Sequence, residues 1–107
     1  MASPLDPIVK RAEDAIRAHV RKTSRRANVF SFGAIEIDPV HLAIWISTPT
    51  DRERNRLARD PAVTAEMRRL LVEAGYPAQA VPAVGFAFES EETVRREHGG
   101  NWWHAVK

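Results

Sequence analysis

The stretch 28-NVFSFGAIEIDPVHLAIWIST-48 decides the fold. Two runs rich in β-branched and aromatic residues flank 38-DPVH-41. Asp38 and Pro39 suit the first two positions of a type I turn, because the proline ring holds φ where the second position needs it. The stretch therefore reads as a β-hairpin. In its second strand Leu42, Ile44 and Ile46 take one face, while His41, Ala43, Trp45 and Ser47 take the other. In the first strand Phe30 and Phe32 share a face, but Ile35 and Ile37 fall out of phase with them. A bulge at Gly33 is expected to bring both pairs to the core.

On the N-terminal side, 6-DPIVKRAEDAIRAHVRKTS-24 carries a helix start signal. Asp6 is the expected N-cap, and Pro7 fits the first helical position, where a missing N–H costs nothing. Leu5, Ile8, Val9, Ala12, Ile16 and Val20 recur at helical spacing, and the helix is predicted over residues 6–25. On the C-terminal side, 48-TPTDRERNRLARDPAVTAEMRRLLVEAGYP-77 is helical in two pieces. Thr50 or Asp51 caps the first, and Asp60-Pro61 starts the second. Val63, Met67, Leu70, Leu71 and Ala74 form its apolar stripe, and Gly75 with Pro77 ends it. The segment 80-AVPAVGFAFES-90 reads as a third strand. Val84, Phe86 and Phe88 face the core, and Ala83, Gly85 and Ala87 leave the opposite face nearly bare. A short helix over 91-EETVRREHGG-100 and a terminal strand over 101-NWWHAVK-107 complete the reading. The whole is one α+β domain spanning residues 1–107, of order α-β-β-α-β. A small antiparallel or mixed sheet carries two long helices on one face.

Composition narrows the function classes. The 107 residues contain no cysteine, which excludes disulfide frameworks, cysteine-based zinc sites and thiol chemistry. No apolar run reaches the roughly 20 residues a membrane span needs, and the charged N-terminus does not resemble a signal peptide, so a cytoplasmic protein is expected. Arg outnumbers Lys thirteen to three, a bias pointing to a GC-rich bacterial genome rather than to a functional demand. The formal net charge is only +2, but residues 1–35 hold seven basic side chains against three acidic ones.

The surface readings follow. Strand alternation sends Trp102 and Trp103 to opposite faces, one beneath the helices and the other beside Trp45. An uncovered aromatic sheet face marks an interaction surface, since Trp is enriched among residues that carry binding energy. The competing arrangement has the terminal segment folded back as a lid. The leading expectation is a protein-binding protein: a homodimer, or an adaptor, inhibitor or immunity-type binder. Trp45, Trp102 and Trp103 are its anchors, and Arg52, Arg54 and Arg56 its charged rim. The alternative is nucleic-acid binding by a basic cluster of Arg17, Arg21, Lys22, Arg25 and Arg26. A third reading makes the aromatic face a small-molecule or enzyme pocket with His41 or His104 as its polar element. His41 is expected on the Trp45 face near Glu36. Ser31, Ser47 and Ser90 have no recognisable nucleophile setting, and the spacing of His19, His41, His98 and His104 gives no metal-binding pair. No cofactor or metal is expected.

Overall fold

The computed structural model describes residues 3–106. Its elements are α1 (Asp6–Val20), β1 (Asn28–Phe32), β2 (Ala43–Thr48), α2 (Asp51–Arg59), α3 (Pro61–Ala74), β3 (Gly85–Ser90), α4 (Glu91–His98) and α5 (Trp102–Val106). Short 3₁₀ turns at Pro39–His41 and Val81–Ala83 precede β2 and β3. The sheet is mixed, in the order β1-β2-β3, with β1 antiparallel and β3 parallel to β2. A parallel neighbour requires a crossover, and α2 and α3 provide it.

The core lies between the sheet and the helices. Ala12, Ile16 and Val20 of α1 and Met67 and Leu71 of α3 pack with Val29, Ile44 and Ile46 of the sheet. The predicted helix stripes and the aliphatic face of β2 are therefore observed. Phe86 and Phe88 also pack against this core, with the Arg68 guanidinium 4.9 Å above the Phe86 ring. No helix among the described residues is long and apolar enough to cross a membrane.

Caps act where the sequence places them at α2 and α3. The Thr50 hydroxyl accepts from the Glu53 N–H, the Asp60 carboxylate accepts from the Ala62 N–H, and Gly75 ends α3 at φ +103°. The start of α1 differs. Leu5 occupies the cap position without a side-chain bond, and the Asp6 carboxylate instead accepts from the Ser3 N–H at 3.0 Å. The end differs too, because α1 stops at Val20 rather than near residue 25. Ser24 is buried and donates to Glu53 of α2 at 2.8 Å, so the chain turns there and carries Arg25 and Arg26 in the turn.

Four further expectations are corrected. The hairpin is not tight: the Asp38–His41 turn forms, with the His41 N–H 3.0 Å from the Asp38 carbonyl, but inside a longer connection. Gly33 makes no bulge serving both residue pairs. It ends β1 at φ +135°, Ile35 reaches the core, and Ile37 is 76% exposed. His41 consequently sits in a 3₁₀ turn rather than on the Trp45 face. Finally, residues 102–106 form a helix and not a strand; Lys107, the end of the expected strand, lies outside the described residues.

Candidate aromatic cleft on the sheet face

Strand β1 presents Val29 to the helices, and Ser31 beside it donates to Glu13 of α1 at 2.5 Å. Phe30 and Phe32 must then project to the other face, the reverse of their expected place in the core. There Phe30 becomes the hub of an aromatic cluster. It stacks on Trp45, its register partner on β2, with ring centroids 6.3 Å apart and planes 5° from parallel. It meets Phe32 and Trp102 edge-on at 5.6 and 6.0 Å. Both arrangements suit the ring quadrupole. Trp45 pairs with Ala87 of β3, so the small residues foreseen there do leave room for the large ring.

Helix α5 folds back over this face. Gly99 and Gly100, at φ +58° and +83°, turn the chain out of α4 through backbone conformations that favour glycine. Adjacent helical residues diverge by about 100° rather than 180°, so both tryptophans line one cleft, and neither lies beneath α1 and α3. Trp102 is half-buried, whereas Trp103 is 64% and Phe32 45% exposed.

The cleft has a volume of about 530 Å³ and is lined by both chain-terminal tryptophans, Phe30, Phe32, Val106, Asn28, Ser47, Arg21, Arg26 and Glu91. Its arginines come from the basic cluster near α1, not from α2. Arg21 is held by a 2.7 Å bond from Nε to the Ala27 carbonyl. Among the described residues, neither Arg21 nor Arg26 takes part in an ion pair, and Glu91 takes part in none either. The structure thus brings together Trp102 and Trp103 with members of the nucleic-acid set, and leaves Arg52, Arg54 and Arg56 outside. Arg54 bonds Glu89 and Thr93, each at 2.8 Å, and Arg56 donates to the Thr23 carbonyl at 2.6 Å. Arg17 is likewise engaged inside the fold, with Asn28, Asp14 and the Val29 carbonyl.

Phe30, Phe32, Arg21, Arg26, Asn28, Glu91 and Val106 are cleft residues that sequence reading did not assign to the leading surface. Phe30 and Phe32 had a usable signal: they alternate with Val29 and Ser31, and their face carries Asn28 as well.

A second polar constellation lies where β2 and β3 end side by side. The Asp51 carboxylate accepts from the Ser90 and Thr93 hydroxyls and from Arg96, the Thr93 bond being 2.6 Å. The Asp51 N–H in turn donates to Glu92 at 2.7 Å, and the Thr93 N–H donates to Ser90 at 3.1 Å. Bonds from Ser90 and Thr93, with Arg96 adding to them, lower the Asp51 pKa to about 2. Thr93 uses its one donor on Asp51 and accepts from Arg54 and Arg96, which saturates a hydroxyl. Ser90 is fully buried and bonded on both sides. The network joins the starts of α2 and α4 and presents no nucleophile. Among the described residues, no group of three or more His, Cys, Asp or Glu side chains is placed to hold a metal ion. Comparisons with protein-family models, with curated proteins and with solved structures found no match.

Proposed function

We propose that this protein is a protein-binding module and that the aromatic cleft is its contact surface. The observation that supports this reading is the juxtaposition of exposed Trp103 and Phe32 with two arginines that have no ionic partner among the described residues. Tryptophan and arginine are the residue types that dominate interface energetics, and they do so where a rim excludes water from an apolar centre. Phe30 packs on Trp45, Phe32 and Trp102 and so braces the rings that line the cleft, although Trp45 itself is not part of the lining; binding therefore orders few side chains. Rings with a charged rim are compatible with an adaptor, an inhibitor or a self-associating protein.

Native mass spectrometry of the protein gently purified from its source tests the reading. A complex, with itself or with a second chain, is expected, and a bare monomer overturns it. Trp103→Ala is expected to abolish that complex while lowering Tm by only a few degrees. A large fall in Tm with association unchanged makes the ring intramolecular packing instead.

One observation favours a second reading. Arg21 and Arg26 share the cleft with the rings, and bases stack on aromatic side chains while guanidinium groups follow phosphates. Single-stranded nucleic acid would then bind with an affinity that falls steeply with salt, whereas an aromatic protein contact changes little. Titration of an oligonucleotide at two salt concentrations separates the two readings.

A further inference from the structure

The charged groups of the cleft have both signs, and their positions are ordered. Arg21 and Arg26 lie beside the start of β1, while Glu91 directly follows the end of β3. The register aligns Asn28 with Ser47 and Ser47 with Glu89, so all three groups sit at one end of the sheet. Strands β1 and β3 flank β2, which separates the arginine side from the carboxylate side by about two strand spacings, roughly 10 Å. Exposed rings lie nearby in the same cleft.

Such a surface is self-complementary. A two-fold axis through the ring cluster sets the arginine side of one copy against the carboxylate side of the other, twice. A purely acidic partner, or a phosphate backbone, would instead place like charge against Glu91. We infer that the occupant of the cleft is a second copy of this chain, with Arg26 and Arg21 of each copy facing Glu91 of the other across the aromatic centre. The inference rests on the protein-binding reading and adds the identity of the partner. A standard interface takes about 800 Å² from each side, roughly an eighth of the 6421 Å² that this chain exposes. Trp103 alone cannot supply that area, so both rims must be covered.

The test is a charge swap read by sedimentation velocity. Arg26→Glu and Glu91→Lys are made separately, checked by thermal melts, and then mixed in equal amounts. Arg26 lies in an exposed turn without a described intramolecular bond, so its variant carries the test even if substitution at the first residue of α4 lowers stability. The wild-type chain is expected to dimerise, and each single variant to weaken self-association about tenfold or more through paired like charges. Mixing restores both attractive pairs in the heterodimer, and affinity returns toward the wild-type value.

A wild-type monomer at hundreds of micromolar overturns the inference, as does a dimer indifferent to both substitutions. So does weakening that mixing fails to reverse. In each case the protein-binding reading stands or falls separately, on whether the native spectrum shows this chain bound to another protein.

Discussion

Gly33 holds a position that an alanine cannot occupy. At φ +135° an added Cβ would lie 2.1 Å from the carbonyl oxygen of His41, a backbone atom that has no room to retreat. Backbone strain of this kind costs about 1–3 kcal/mol, and the clash adds to it. Gly33→Ala is expected to lower unfolding free energy by more than about 2 kcal/mol, measured as a shift in the urea midpoint at constant slope. The glycine itself was legible as a break in β1, but its cause was not, because the obstructing carbonyl belongs to a turn formed eight residues later. The reversed Phe30 and Phe32 have a related explanation. Ser31, a polar residue on the helix-facing side, conceals the alternation, and its hydroxyl is satisfied there by a hydrogen bond donated to the Glu13 carboxylate of α1.

At the scale of elements, the basic end of α1 serves an edge strand. Val29 turns its N–H to Asn28 Oδ1 and its C=O to Arg17, at 2.9 and 2.8 Å, so both groups face away from β2. Arg21 does the same for the Ala27 carbonyl. Unsatisfied edge groups are templates for intermolecular pairing, and these arginines cover them. Arg17→Ala is expected to cost about 1–2 kcal/mol, in line with loss of a charged hydrogen bond, and to promote aggregation on heating as seen by light scattering. An unchanged melt would show that the edge needs no cover. From sequence alone this cluster reads first as a dipole complement and second as a phosphate stripe, because nothing local identifies β1 as an edge. Helix α5 eluded the sequence for a similar reason: Trp and Val favour strands, yet packing of Trp102 against Phe30 overrides that preference. By contrast α2, α3 and the aliphatic face of β2 were readable, since caps and periodicity are local signals.

For the molecule as a whole, distance along the chain separates what was legible from what was not. The cleft gathers residues 21, 26, 28, 30, 32, 47, 91, 102, 103 and 106, and only the fold brings them together. The same holds for the Asp51 network, which ties the start of α2 to residues some 40 positions later. That network sets an acid limit on stability. Bonds from Ser90 and Thr93 hold Asp51 at about 2, below its ordinary 3.8. Within that window the unfolded chain binds the proton more readily than the folded one. The contribution of Asp51 is therefore complete above about pH 4 and is lost as pH falls toward 2. Glu53, lowered chiefly by Ser24, and Glu66, lowered chiefly by Arg69, act in the same direction and belong to other contacts. Asp51→Asn separates them: it removes this one titration and leaves the other two. The variant is expected to melt below the wild-type protein at about pH 7, with the gap narrowing as acid is added and closing near pH 2. A gap that stays constant across the titration would mean that the carboxylate charge contributes nothing to joining α2 and α4, and that only the shape of the side chain matters there.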